Sequence, residues 1–536
     1  MKNIPQKLTL EAIGIFVAAL FLFTIGLDQQ EIVGFESRFY VFALDAWEHG
    51  LGWFPYLYNQ PYPDYPVTST ALIYFSALLF GHLSKLAAVF PSAIAASITV
   101  VVTFLIGALQ QPRWGWFAVF FLLLTNTFVM EARTISPDQY IAMVTTCSFY
   151  LAYSSQLFQK YTRLWCIPVL FLFGFACRGP IGVVVPAGVI CGFYLLEKDY
   201  RHLFLISATA VVALAIGISA LWYAAYHVGG HTFVNDVWRM QVSGRMIDAE
   251  LPWYFYFPES MGAYAITFPL SLLVVIGLGR DIFRKNMSLD VQLIQKLLAW
   301  VFIILIGLSI PAGKKIRYIL AMSPALALIS AYLFVLPSSQ KYFYYLRKVV
   351  YWFCYLLPTI CLIIILLARF LSDNAILKSI SVFQLSVICV FLQMIALSLT
   401  HYFKQHAEIT VVAVAALLFV ILFMNVVEQI NLNLNATRDF VLSVEATRIA
   451  RNADLVFLKE SPDGLPIKYI ADMKVSEKPI FLNTAREMLH YPYKSIFILS
   501  TENYAQLPKA VSRLFIISMT GKIGHEPVVV LVRRAN

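Results

Sequence analysis

Thirteen runs of apolar residues fall at about 8–27, 92–110, 115–130, 138–158, 164–177, 180–196, 203–226, 262–279, 297–311, 316–336, 349–369, 380–400 and 410–430. Each is near the roughly 20 residues needed to cross ~30 Å of hydrocarbon as an α-helix. This recurrence constrains the fold more than any motif does, because backbone entering lipid must satisfy its own hydrogen bonds and a helix does so within one segment. Composition agrees. Hydrophobic residues make up 60% of the 536 and charged residues 13%, with mean hydropathy +0.73, too little polar surface to cover a soluble chain of this size. The sequence predicts an all-α polytopic membrane protein with about 13 spans. A shorter run at 67–82 reads as a segment lying in or dipping into the outer leaflet.

Lys and Arg in short loops set orientation. Lys2 and Lys7, Arg113, Lys160 with Arg163, Lys198 with Arg201, Arg280 with Arg284 and Lys285, Arg347 with Lys348, and Lys404 all fall inside if the crossings are odd in number. The C-terminus is then outside, and segments 28–66, 131–138, 178–180, 227–261 and 312–317 share the outer face. Arg133, Arg178, Lys314, Lys315 and Arg317 break the positive-inside pattern and so need a reason to be there. The first run lacks a small-residue cleavage site and reads as an uncleaved anchor. The expected location is the cell inner (plasma) membrane, with periplasmic active site and C-terminal domain. Seven cysteines lie in or beside membrane runs, without disulfide or paired metal spacing. The net charge of +10 is scattered over helix ends, which points to membrane lipids as a partner rather than nucleic acid.

Two regions follow. Residues 1–430 form the transmembrane domain, with a first outer loop at 28–91 carrying juxtamembrane helices and a second large one at 227–261. Residues 431–536 change character. Short β-rich segments at 454–459, 480–483, 495–499, 514–519 and 528–532 alternate with helix-like stretches, a pattern predicting a small extracytoplasmic α/β domain of about 100 residues. It holds no phosphate loop, metal spacing or nucleophile elbow.

Charged residues beside hydrocarbon-length helices are expensive to place, so a cluster of them at one junction points to a water-filled site. Glu131, Arg133 and Asp138 form such a cluster. Asp138 after Ser136-Pro137 also fits helix capping, and Glu131 also fits pairing with Arg133. In the first loop, 36–48 has the spacing of an amphipathic helix on the membrane with Phe39, Phe42 and Trp47 toward lipid. Glu36 at its start is either favoured by the helix dipole or a general base toward an acceptor. Arg178-Gly179-Pro180 and Lys314-Lys315-Ile316-Arg317-Tyr318 break apolar runs where a lipid-linked phosphate would lie, and arginine forks with compact lysine charges suit a phosphodiester. Headgroup snorkelling is the better account of one of the two lysines, but not of all these cations. Arg38, Asp64, Tyr65, Arg239 and Arg245 complete the candidate binding residues. His227 and His231, four apart, lack a third ligand in register; no metal site is expected, and metal dependence stays open. The aromatic run 252–258 reads first as an interfacial belt.

Several of these elements resemble the lipid-dependent membrane glycosyltransferases of GT-C fold, which include lipid A aminoarabinose transferase and protein O-mannosyltransferases. The matching elements are Glu36-Ser37-Arg38-Phe39-Tyr40 with Gly52-Trp53, Glu131-Ala132-Arg133 through Asp138, Arg178-Gly179-Pro180, Pro252 to Phe257, and Gly313-Lys314 with Tyr318, in family order across roughly 10–335. The resemblance implies a GT-C fold and transfer of a sugar from a polyprenyl-phosphate carrier to a periplasmic glycan, lipid A or protein acceptor, without a cofactor. Phe35 replaces the first member of the family's acidic pair, leaving Glu36 to carry that role. Tyr65 stands where the family has a lysine before proline, and Arg178 replaces a lysine before Gly-Pro.

Two other classes share the many spans. A lipid-linked sugar transporter predicts repeat symmetry and helices broken at the bilayer midplane, and no internal repeat is visible. A non-catalytic envelope assembly protein would tolerate neutralising Glu36 and Asp138.

Overall fold

A computed structural model describes residues 6–64, 66–243, 251–284, 287–336, 340–371, 381–491 and 494–534. In chain order its first ten helices are α1 (Gln6–Thr24), α2 (Glu36–His49), α3 (Thr68–Phe80), α4 (Lys85–Ala108), α5 (Pro112–Leu123), α6 (Asn126–Ala132), α7 (Pro137–Phe158), α8 (Ile167–Arg178), α9 (Ile181–Leu196) and α10 (Tyr200–Trp238). Further helices include Tyr256–Ala263, Thr267–Leu278, Leu289–Ser309, Ser323–Tyr332, Lys341–Leu371, Val382–Tyr402 and Ala407–Leu422. Two compact units emerge: Met1–Ile25, Pro63–Ser69 and Val89–Val427 in one, and Gly26–Tyr62, Thr70–Ala88 and Glu428–Asn536 in the other.

All thirteen apolar runs fall on helix. Among the described residues seven helices are long and apolar enough to cross a membrane, and up to nine if each of two bent pairs is one span. The sequence count of about 13 is higher because it includes α7, α8, α9 and 316–332. These are either short or, like α7, largely buried with polar Thr145, Thr146 and Ser148 turned inward. A helix surrounded by other helices does not need a lipid-facing composition.

Side-chain anchors hold the first unit together. The Trp114 indole donates to the Leu328 carbonyl at 2.8 Å and the Trp300 indole to that of Ala321 at 3.0 Å. α5 and α6 bend by 76° at a short break, and Tyr256–Ala263 bends by 111° against Thr267–Leu278. The breaks face one another: Thr125 Oγ1 lies 3.1 Å from Thr267 Oγ1, and Thr127 Oγ1 donates to the Ala263 carbonyl at 2.8 Å. Threonines thus supply partners where the helical ladder is interrupted.

α8 and α9 meet at glycines. A Cβ on Gly182 would sit 2.0 Å from the Gly174 carbonyl oxygen, against backbone that has no rotamer to yield. Gly182→Ala is therefore expected to push the two helices apart and cost about 1–3 kcal/mol. Thermal melting in detergent should show a Tm lower by several degrees, and an unchanged Tm would disprove this close approach.

The second unit holds a five-stranded sheet of β3 (Leu455–Leu458), β4 (Ile480–Leu482), β5 (Ile496–Ser500), β6 (Phe515–Ile523) and β7 (Glu526–Arg533), in the order β4-β3-β5-β7-β6. β3 runs parallel to β4 and β5, while β7 is antiparallel to β5 and β6. The unbroken apolar run of β3 is explained by cover on both faces: Leu455 and Phe457 enter a core with Val444 and Tyr469, and Val456 and Leu458 one with Met488 and Leu507. The α/β expectation for the C-terminal residues therefore holds.

Much of the first loop clusters with this sheet region. A hairpin of β1 (Tyr56–Leu57) and β2 (Gln60–Pro61) turns through Tyr58 and Asn59, both at positive φ, as a two-residue hairpin turn requires. The Tyr58 hydroxyl donates to the Pro462 carbonyl at 2.8 Å and that of Tyr62 to Asp463 at 3.0 Å, while Ser476 Oγ bonds Asp45 at 2.9 Å. α2 is helical as its spacing predicts, but its placement on lipid is overturned: Phe39 and Phe42 are buried, 6% and 0% exposed. The loop expected at 227–261 also begins as helix, since α10 continues to Trp238 across a kink at Gly229 and Gly230.

In the same unit Asp472 is buried and bonded by Thr437; burial first, and Glu31 as a further negative charge, push its pKa up to about 6. A carboxyl with a folded pKa above its unfolded value of about 3.9 favours the protonated state on folding. Its destabilising effect is thus full above about pH 6 and relieved as pH falls toward 4, worth at most about 3 kcal/mol. The unaltered protein minus an Asp472→Asn variant should show stability rising by this amount between pH 7 and 4 in denaturant melts. A flat difference would contradict it.

Candidate functional site

The junction between α6 and α7 is fixed by its own polar groups. Arg133, 2% exposed, donates through Nη1 to the Leu22 carbonyl at 2.8 Å and through Nη2 to that of Ile25 at 3.0 Å, satisfying acceptors at the end of α1. The Ser136 amide donates to Ser92 Oγ at 3.1 Å, and its hydroxyl bonds the Glu131 carboxylate. Pro137 then begins α7, which places Asp138 in the first turn.

Asp138 draws two distant arginines together. Arg178 Nε lies 3.1 Å from Oδ1 and Arg317 Nε 3.2 Å from Oδ2, with the Asp138 and Arg178 side chains 8% and 2% exposed. Asp138 is thus more than a helix cap. Both oxygens are engaged by guanidinium groups, which suits orienting the arginines better than accepting a proton. The Tyr318 ring lies 5.4 Å from the Arg178 guanidinium and 6.0 Å from that of Arg317, within cation–π range.

Local backbone explains how Arg178 reaches this point. α8 ends on Gly179 at φ 69, a conformation L side chains rarely adopt, and its amide caps α8 on the Phe175 carbonyl before Pro180 leads into α9. Lys314 is buried and donates to the Leu251 carbonyl at 3.2 Å. Segments 131–138, 178–180, 251 and 314–318, remote in sequence, therefore belong to the first unit. The cations there that are not exposed, Arg133, Arg178, Lys314 and Arg317, outnumber Glu131 and Asp138, four against two, a balance suited to an anionic ligand.

Other expected residues stand elsewhere. Arg239 is exposed and pairs with Asp236 one turn away at 3.5 Å, a surface arrangement rather than a site contact. Lys315 is exposed and Asp64 is buried. His227 and His231 are exposed, and no group of three metal-ligand side chains occurs among the described residues. Tyr65 and Arg245 lie outside the described residues.

Glu36 and Arg38 belong to the second unit. Glu36, 1% exposed, pairs with Lys85 at 2.8 Å and accepts from the Val33 amide at 3.2 Å; Lys85 also donates to the Glu31 carbonyl at 2.9 Å. Arg38 lies over the Tyr62 ring at 5.7 Å. Sequence reasoning missed Lys85. A single lysine opening an apolar helix looks like any interfacial anchor, and only its distance to Glu36 distinguishes it.

Comparison with known proteins finds similar chains and a shared fold. Residues 64–223 match the family model described as dolichyl-phosphate-mannose-protein mannosyltransferase. An uncharacterized protein of Aquifex aeolicus is 26% identical over 287 residues, 53% of this chain and 55% of that one. The undecaprenyl phosphate-alpha-4-amino-4-deoxy-L-arabinose arabinosyl transferase of Pectobacterium carotovorum is 26% identical over 310 residues, 55% and 54%. The chain thus spans about half the length of these two relatives. Crystal structures of ArnT from Cupriavidus metallidurans superpose over 97% of this chain and 98% of that one, with a TM-score of 0.71 for the form bound to undecaprenyl phosphate and 0.73 for the apo state, at 15% and 14% identity. This integral membrane chain thus shares the fold of ArnT over nearly its whole length, and its residues 64–223 are similar to the dolichyl-phosphate-mannose-protein mannosyltransferase family.

Proposed function

We propose that the protein transfers a sugar from a polyprenyl phosphate, undecaprenyl phosphate in a bacterial inner membrane, to an acceptor on the periplasmic side such as lipid A, another glycan or a protein. The observation that carries this reading is the cluster of buried Asp138 and Arg178 with half-buried Arg317 at the ends of helices in a membrane protein. The fold shared with an ArnT that binds undecaprenyl phosphate supports it.

In the reaction an acceptor oxygen attacks the anomeric carbon, the bond from that carbon to the phosphate oxygen breaks, and polyprenyl phosphate leaves. Arg178 and Arg317, with Lys314 and Tyr318 beside them, hold the phosphate and stabilise the charge it gains on leaving. Asp138 orients the two arginines. The acceptor's proton needs a carboxylate, and Glu36 is the candidate that the sequence offers for it. No step calls for a metal.

Mass spectrometry of lipid-linked, protein-linked and lipid A glycans from cells with and without the intact gene tests the proposal. A difference of one sugar in a single fraction is expected and would name donor and acceptor together. Identical glycans in every fraction would reject it. The two bent helix pairs favour a second reading, a lipid-linked sugar transporter. Transport leaves the sugar on its carrier, so release of free polyprenyl phosphate by the purified protein separates the two.

A further inference from the structure

Gln241 lies in a five-residue π-helical turn, Arg239–Ser243, at the end of α10. Its side chain is 8% exposed, and neither Nε2 nor Oε1 has a hydrogen-bond partner among the described residues. This amide stands against the Arg178-Gly179-Pro180 turn: a Cβ on Gly179 would lie 3.3 Å from Gln241 Oε1. Folding has therefore removed an amide from water at the edge of the arginine cluster without replacing its hydrogen bonds, which is costly unless a ligand supplies them. π-turns are rare in helices and frequent at functional sites.

The chemistry of the missing partner follows from the amide itself. Nε2 needs an acceptor and Oε1 a donor, and because both ends are unpartnered the argument holds for either orientation of the amide. A phosphate diester at neutral pH offers acceptors only and would leave Oε1 unmatched. A hydroxyl offers both a donor and an acceptor, and a sugar ring carries several. Since Arg178 is the proposed phosphate contact and Gly179 is its chain neighbour, an amide beside that turn lies where the first sugar bonded to the phosphate would be. Building on the proposed function, we infer that Gln241 binds a hydroxyl of the transferred sugar and sets preference among sugar-loaded carriers.

Gln241→Leu keeps the side chain's size and removes both hydrogen-bonding ends. Binding of two probes to the purified full-length protein tests it: undecaprenyl phosphate without sugar, and a panel of undecaprenyl-phosphate monosaccharides bearing 4-amino-4-deoxyarabinose, mannose or glucose. For whichever loaded carrier the unaltered protein prefers, the variant should bind at least tenfold more weakly, while binding of the sugarless carrier stays within twofold. Its Tm without ligand should stay level or rise, because an unmatched buried amide is gone; a purely structural glutamine would lower it. Equal weakening of both probes, unchanged binding of the loaded carrier, or a lowered Tm would each overturn the inference. If the unaltered protein binds neither class of probe, the proposed function itself fails, an outcome distinct from failure at Gln241.

Discussion

Arg178→Ala is expected to weaken binding of undecaprenyl phosphate by about 10- to 150-fold. A hydrogen bond to a charged group contributes about 1.5–3 kcal/mol, and each 1.4 kcal/mol is a factor of ten. The loss falls toward the upper end because the change also strips Asp138 of one of its two arginines, leaving more negative charge beside the incoming phosphate. Folding suffers too, since removing one partner from a buried pair costs up to about 3–5 kcal/mol; Arg317 remains on Asp138 and moderates that cost. Pairing the change with Asp138→Asn separates the two effects. The double variant should regain Tm while binding carrier no better than Arg178→Ala. Full recovery of binding would mean that Arg178 serves Asp138 and not the phosphate.

The membrane unit was legible because hydrocarbon imposes its length on sequence. Apolar runs near the bilayer's thickness mark helices without knowledge of packing, and thirteen such runs all fall on helix. The short strands at 455–458 and 496–500 were equally visible, as apolar runs buried on both faces. The bends at 124–125 and near 264–266 were not. They arise where threonines on one segment meet another segment 142 positions away, and no local pattern records such a meeting. α2 was misplaced on lipid for a related reason: an apolar stripe reports that a face is buried, not what covers it.

At the site, residue type proved more readable than pairing. Arginines breaking apolar runs on the expected outer side signalled that Arg178 and Arg317 had work beyond anchoring, and both meet Asp138. Arg133 carried the same signal yet spends guanidinium bonds on the Leu22 and Ile25 carbonyls. A cation among hydrocarbon helices answers either to an anion or to uncapped carbonyls, and sequence does not distinguish them. Gln241 gave no signal at all, because an amide in a polar stretch looks ordinary until its burial is known.

Lys85→Met should destabilise the protein by about 3–5 kcal/mol, the cost of leaving one member of a buried ion pair without its partner. The pair is well enclosed, with Lys85 and Glu36 side chains 4% and 1% exposed at 2.8 Å, so little solvent is available to replace the lost charge. Glu36→Gln, which keeps shape and removes charge, should lower stability less, because the amide can still bond the ammonium. The double variant Glu36→Gln with Lys85→Met restores charge balance and should recover at least half of the Lys85→Met loss in denaturant melts. Activity then separates two roles for Glu36. As the proposed base, its replacement should cut transfer by about 100-fold or more, in the range typical of general-base catalysis, in the single and the double variant alike. A purely structural carboxylate predicts that transfer follows stability and returns in the double variant. Transfer recovering together with Tm would remove Glu36 from the chemistry.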